Sequence, residues 1–514
     1  MFLTKFNVNL VTKSSKGLNT IVRLSSTSAV NDSEWKNAKP YSQIPGLTKF
    51  GLVRAVSPGG KYNNLNIIEM SLKMQEEYGN FVKFPGLFGQ RDLIFTLDPN
   101  DIETIFRHEG KFPIRRGLDT LEYYREVYRR EWFGKGNTGL VPSQGDDWYQ
   151  FRTRVNQTMM QPKTSKLYIP KIDEVAIEFV DRIKENRDAN GETPNDFLEY
   201  INQWALESIA LITLDTRLMV HENPRSAEIN RLMKEVFRLS YEYDVMPSLW
   251  RTVKTPGFMH VMKTYDRLTG IMREYANEAM KKLEASTPSD DHEPGILEKL
   301  MKIDKNVAFV MVLDSLLAGV DTTSTGIVST LYCLASNPDK QEILRKEVLK
   351  ILPEKKSKLT TQSLSSIPYL RAVIKEAIRL HPPFNGNLRE TVQDMVIQGY
   401  QIPKGTNLVL GTHILPIQDE HFERSNEFIP ERWIKDNTDT KCPHAKDSHP
   451  FAYLPFGFGS RMCVGRRFAE LEIEVLTMRI IREFKLEWNN PPLKFKSFTL
   501  NIAADPLKFK TIDL

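Results

Sequence analysis

The chain has 514 residues, 40% of them hydrophobic, with a formal net charge of +5 and three cysteines. This is enough apolar material for a large buried core, and it excludes a disulfide-stapled module, because Cys333, Cys442 and Cys463 are odd in number, far apart and lack CxxC spacing. It also argues against a nucleic-acid surface: Lys5, Lys13, Lys16 and Arg23 lie in an acid-free N-terminal stretch, and the remaining chain is close to neutral.

Residues 1–30 combine those four bases with many Ser and Thr and scattered apolar residues. That is the composition of a mitochondrial transit peptide; the plainer alternative is a solvated terminus. The stretch has neither the apolar centre of a secretory signal nor the roughly 20 apolar residues of a membrane anchor. A Pro/Gly-rich entry, KPYSQIPGLTKFG (39–51), reads as extended chain. From about 65 to 380 apolar residues recur every three or four positions, which predicts helices over 169–186, 197–213, 225–242, 257–284, 306–336 and 367–380. Loops are expected at 188–195 and 286–295, and strands at 81–84, 91–97, 395–402 and 407–410, the last two flanking IPKGT. Length alone would allow about three domains. No repeat or compositional break divides 35–514, so one large, mainly α domain with small β-sheets is expected.

The stretch PFGFGSRMCVGRRFAE (455–470) sets Cys463 where a glycine-rich loop gives way to an amphipathic helix. Free amide groups and the positive end of the helix dipole converge at such a place, and both lower a thiol pKa. Gly457, Gly459 and Gly465 leave room for something large and flat, and Arg461 offers a cation for its carboxylates. These features describe a haem site with an axial sulfur, while a buried structural Cys or a nucleophilic Cys remain alternatives.

The stretch resembles the haem-binding loop of the cytochrome P450 family, Phe-Gly-x-Gly-x-Arg-x-Cys-x-Gly, at Phe456, Gly457, Gly459, Arg461, Cys463 and Gly465. By average residue frequencies, such a match arises by chance on the order of once in 10⁵ chains of this length. The resemblance implies a single P450 fold around a buried haem b, with Cys463 as the iron ligand and Phe456, Gly459, Gly465 and Arg461 in the cofactor pocket.

AGVDTT (318–323) stands within the predicted helix 306–336. Gly and paired Thr are poor mid-helix residues. Ala318 and Gly319 would leave a groove, and a Thr hydroxyl bonded back to a carbonyl would bend the helix. An equal reading has Asp321 and the threonines capping a helix that begins there. The resemblance instead implies an acid–alcohol pair, Asp321 and Thr322, handling protons for O2 activation, hence a monooxygenase.

Glu376 and Arg379 in KEAIRLHPP share one helical face, by default a surface ion pair. The resemblance implies a buried network completed by Arg432 of FIPERW. It likewise implies that Trp148, Arg152, Arg389 and Arg461 face the haem propionates.

The basic pairs Arg371/Lys375 and Arg466/Arg467 suggest docking of an acidic protein, Arg466 and Arg467 lying in a helix's first turn, where cations are disfavoured. An internal Arg466–Glu470 pair or a propionate contact is the alternative. Residues 86–99 and 111–140 are similar to insect mitochondrial P450s, a branch holding detoxifying enzymes and ecdysteroid hydroxylases. That likeness implies an adrenodoxin-like [2Fe-2S] ferredoxin with its NADPH-dependent reductase, a lipophilic xenobiotic or steroid substrate, and peripheral attachment to the matrix side of the inner membrane. Pocket residues are expected in 112–134, 237–250, 310–318, 384–388 and 498–503. Tyr241, Tyr243, Met246, Trp250 and Phe258 are expected either in a membrane-dipping surface or in the core. A microsomal-type or oxygen-independent haem-thiolate enzyme, or a non-catalytic haem or lipid binder, are the competing functions.

Overall fold

The computed structural model describes residues 32–286, 293–435, 441–497, 499–504 and 506–514. The expected leader, most of the expected loop at 286–295, and Phe498 of one expected pocket stretch lie outside these residues. Among the described residues, nine helices have 13 residues or more: α1 (Gly145–Met160), α2 (Ile169–Asn186), α3 (Phe197–Leu214), α4 (Pro224–Ser240), α5 (Pro256–Ala285), α6 (Lys305–Ser336), α7 (Pro338–Ile351), α8 (Pro368–Leu380) and α9 (Arg466–Glu483). The six helices expected from apolar spacing correspond to α2–α6 and α8, with ends agreeing within two residues.

Capping explains several of these ends. Thr255 accepts a hydrogen bond from the Phe258 amide at 3.2 Å, and Pro256 opens α5. Asp304 accepts from the Asn306 and Val307 amides at 2.7 and 3.1 Å, so α6 starts there and runs unbroken through AGVDTT. Asp321 therefore does not cap a new helix. The weak helix formers are accommodated by back-bonding, with the Thr322 hydroxyl donating to the Ala318 carbonyl at 2.7 Å and Thr325 to that of Asp321 at 2.9 Å.

Four strands form one sheet in the order β1 (Phe81–Phe84), β2 (Leu93–Thr96), β6 (Asn407–Leu410), β3 (Asn387–Glu390). Its β2–β6 pair is parallel and the other two pairs are antiparallel. The strand expected over 395–402 is instead a hairpin, β4 (Met395–Ile397) and β5 (Tyr400–Ile402). Its turn residues Gln398 and Gly399 take φ of 53° and 73°, as a two-residue hairpin turn requires. Two further pairs, β7 (Phe484–Glu487) with β10 (Lys510–Asp513) and β8 (Phe495–Ser497) with β9 (Asn501–Ala503), complete the sheets.

Helix α6 is the axis of the core and packs against α3, α5, α8 and α9. It is long and apolar enough to cross a membrane, yet 83% of its most apolar window is buried within the fold. Over residues 311–325 the positions left uncovered are Ser315, Ala318, Gly319 and Thr322. Their three- and four-residue spacing makes one open stripe along an otherwise buried helix.

Candidate active site

The loop before α9 is held by the Cys463 amide donating to the Phe456 carbonyl at 2.9 Å. Gly457 and Gly459 sit at φ of 71° and 76°, where a side chain would be strained, and a Cβ on Gly459 would strike the Glu109 carboxylate. At Gly465 the nearest atom to an added Cβ would be the Cys463 sulfur, 4.0 Å away. The Cys463 sulfur lies among packed protein groups and remains accessible to water.

The expectation that the loop amides and helix dipole lower this thiol's pKa is corrected by the structure. Burial is the dominant influence and pushes the pKa up, against the Gly465 amide and the charges of Arg152, Arg115 and Arg466. The stabilising groups are present, but in the protein alone they are outweighed.

Four guanidinium groups cluster beside the thiol. Arg152 is buried, donates to Asn156 at 3.1 Å and is lowered in pKa by burial, with Cys463 opposing. Arg461 stacks over the Trp148 ring at 4.7 Å and spends its NH groups on the Pro113, Leu140 and Ser143 carbonyls and the Gln144 side chain, at 2.6–3.4 Å. Its pKa falls well below the usual value through burial and the charges of Arg115 and Arg389. Arg389, on β3, pairs with Glu109, donates to the Leu388 carbonyl at 2.8 Å and lies over the Phe106 ring at 4.6 Å.

Arg115 is the fourth, absent from the residues singled out in the sequence. Burial and the neighbouring Arg389 push its pKa down to about 10. Gln144 clips it in place, accepting from the Arg115 amide at 2.8 Å and donating to its carbonyl at 2.9 Å. Among the described residues, the carboxylates acting on this cluster are Glu109, tied to Arg389, and Asp314, tied to Arg125. Cations therefore outnumber anions in a buried place, an arrangement that a bound anion would relieve.

On α6, Asp321 is buried and its Oδ2 has no hydrogen-bond partner among the described residues. Burial raises its pKa to about 6, with Lys234 lowering and Glu199 raising it. Lys234 and Glu199 form an ion pair between α4 and α3. Thr322 lies on the open stripe. Gly319 does not widen that opening: a Cβ there would come within 2.8 Å of Ile209 on α3.

Glu376 sits at the centre of a saturated network. It binds Arg379 through two bonds of 2.9 Å, Arg432 at 2.9 Å, the Trp433 indole at 2.8 Å and the Ile429 amide at 3.1 Å. The Glu376, Arg379 and Arg432 side chains are all at most 1% exposed. Trp433 is the member that spacing did not reveal.

Arg371, Lys375 and Arg466 form one surface patch, close enough for Arg466, Arg371 and Lys435 to depress the Lys375 pKa, after burial as the main cause. Arg371 is fixed by Glu474 at 2.8 Å, and Arg466 makes the Glu470 pair at 2.9 Å that was its alternative reading. Arg467 points elsewhere, donating to the Met160 carbonyl at 2.9 Å.

A family model described as Cytochrome P450 matches residues 60–511. The chain belongs to the cytochrome P450 family. It is 44% identical over 503 residues to the probable cytochrome P450 12a5, mitochondrial, of Drosophila melanogaster, covering 94% of this chain and 93% of that protein. It is 41% identical over 514 residues to cytochrome P450 CYP12A2 of Musca domestica, covering 97% and 96% respectively. It is 41% identical over 484 residues to cytochrome P450 12b1, mitochondrial, of Drosophila acanthoptera, covering 93% and 90%. It is thus a P450 monooxygenase with mitochondrial insect relatives, and P450 membership implies haem. The residues present fit that group: a reachable thiol inside the fold, an excess of buried cations beside it, and an open stripe on the core helix.

Proposed function

We propose that this P450 inserts one oxygen atom from O2 into a lipophilic xenobiotic or steroid, in mitochondria, with electrons from an adrenodoxin-like [2Fe-2S] ferredoxin. The observation that carries the reading is the buried acid Asp321 beside Thr322 on the open stripe of α6. Haem b held by Cys463 would supply O2 binding and reductive O–O cleavage, assisted by electron donation from the thiolate.

The chain's own part is holding, orienting and proton handling. Arg115, Arg152, Arg389 and Arg461, with Trp148 beneath Arg461, supply the positive end that receives the two carboxylates. Phe456, Gly459 and Gly465 shape the loop on the sulfur side. An anion among the cations also cancels the mutual repulsion that burial now amplifies. The Thr322 hydroxyl, anchored on the Ala318 carbonyl, presents its oxygen to the opening. Asp321, near pKa 6, takes and gives protons close to neutrality, with the half-exposed Lys234–Glu199 pair near enough to act on it electrostatically.

Ferredoxin docking rests on Arg371, Lys375 and Arg466, joined by Lys435, while Arg467 is tied back to the protein. Such a patch steers an acidic partner to the face from which the Cys463 loop enters α9. A second surface suits contact with the inner membrane on its matrix side. Phe88, Val245, Leu249 and Val253 are 52, 39, 50 and 60% exposed. Gln90 joins the Phe88 loop to this segment through the Met246 carbonyl at 2.8 Å. Of the residues expected either there or in the core, Trp250 and Phe258 are in the core, stacked 4.8 Å apart.

The test is product formation, followed by mass spectrometry over a panel of xenobiotics and sterols. Parallel reactions contain a mitochondrial ferredoxin with its reductase, or the microsomal flavoprotein reductase. Products gaining one oxygen with ferredoxin alone are expected. Turnover only with the flavoprotein overturns the electron-partner assignment.

A further inference from the structure

A second buried acid lies behind the same turn of α6, and none of the roles above uses it. Glu472 of α9 is 1% exposed. Its Oε2 accepts from the Thr323 hydroxyl at 3.3 Å, and its Oε1 has no hydrogen-bond partner among the described residues. The Ser208 hydroxyl of α3, which has no hydrogen-bond partner among the described residues, lies near enough to act on it. Every contact that perturbs this carboxyl is a hydroxyl, and none is a cation.

The charged groups on the surrounding helices are engaged elsewhere. Glu207 of α3 pairs with Arg217, Asp173 of α2 with Arg479 at 2.6 Å, and Glu474 of α9 with Arg371 at 2.8 Å. On α8, Glu376 and Arg379 bind each other, and Arg345 of α7 donates to the Ile481 and Phe484 carbonyls. Asp321 of α6 feels the charges of Lys234 and Glu199.

We propose that Glu472 is a positioning residue whose uncharged carboxyl ties α9, the helix that leaves the Cys463 loop, to the turn of α6 carrying Asp321 and Thr322. Thr323, its partner, directly follows Thr322, so the tie fixes the rotation of α6 at the open stripe relative to the sulfur-bearing element. The carboxyl stays protonated because an ionised carboxylate there has no cation to face, so its ionisation costs stability although the Thr323 hydroxyl still donates to it. Burial pushes its pKa up to about 8, with Ser208 and Thr323 lowering it. A folded-state pKa above the unfolded value means that this contribution is complete in acid. It is lost as pH rises from the ordinary carboxyl range through about 8.

The experiment is the thermal midpoint of the haem-loaded full chain between pH 6 and 9, followed at the Soret band. The native protein should lose a few degrees over that range. Glu472→Gln keeps the shape and hydrogen bonding but cannot ionise, so its decline should be visibly flatter. Thr323→Val removes the hydroxyl that favours the ionised form, so the decline should be steeper and extend to higher pH. The proposal is overturned if Glu472→Gln declines as the native protein does, or if Thr323→Val leaves the alkaline limb unchanged. Should Glu472→Gln fail to fold, Thr323→Val decides alone. A part in packing only would lower both midpoints without changing their pH dependence.

Discussion

Two buried clusters of arginine in this protein look alike in composition and differ in kind. Around Glu376, one carboxylate serves two guanidiniums and the remaining donors are satisfied by carbonyls: Arg379 also donates to the Pro416, Ser425 and Glu427 carbonyls, and Arg432 to those of Glu423 and Arg424. Around Cys463, four guanidiniums are held in place by carbonyls, Gln144 and Asn156, and Glu109 and Asp314, each tied to an arginine, offset their repulsion only in part. The first arrangement is complete in the protein alone and behaves as scaffold. The second is incomplete, which is how a binding site differs physically from a structural ion network. What separates the two is the size of the excess, two guanidiniums on one carboxylate in the first and four around Glu109 in the second.

This difference predicts opposite responses to removing a charge. Glu376→Ala leaves two arginines buried without their anion, at a cost of about 3–5 kcal/mol, and should abolish recovery of haem-loaded protein. The carbon monoxide difference spectrum of the purified variant checks this. Arg115→Leu removes one of the mutually repelling cations. It should weaken haem retention while raising the thermal midpoint of the haem-free chain, a gain on the order of 1–2 kcal/mol. A fall in both quantities would place Arg115 with the scaffold.

Asp321→Asn should lower the rate of product formation by about 10²-fold or more, with a smaller fraction of the electrons recovered as product. In the native enzyme, turnover against pH should show a limb near pH 6, where Asp321 loses its proton, and the variant should lack it. The smallest effect is expected at the surface. Reversing charge at Arg371 and Lys375 should raise the KM for ferredoxin about tenfold at low salt, leave kcat nearly unchanged, and fade as ionic strength rises.

What was legible in the sequence is what neighbours in the chain specify. The Cys463 loop, AGVDTT and the Glu376–Arg379 pair each place their chemistry within a turn or two of backbone, and the long helices announce themselves by apolar spacing. Arg115, Glu109, Gln144 and Glu472 acquire their meaning from distant partners. Arg461 and the Pro113 carbonyl it holds are 348 positions apart, and Arg389 and Glu109 are 280 apart. No local pattern marks such residues. The β4–β5 hairpin was missed for another reason: its turn is Gln398-Gly399, without the Asn or Asp that usually signals a two-residue turn. The thiol's pKa was misjudged because sequence displays amides and cations but not the depth of burial that outweighs them.

Gly319 and Ala318 are adjacent and equally small, yet they constrain variation differently. Any side chain at 319 must displace Ile209, so that position sets how closely two core helices cross. Ala318 is the exposed residue of the uncovered stripe. Divergence in the substrates accepted by related enzymes can therefore accumulate at 318 and 315 without disturbing the scaffold, while 319 is held to glycine by the crossing itself.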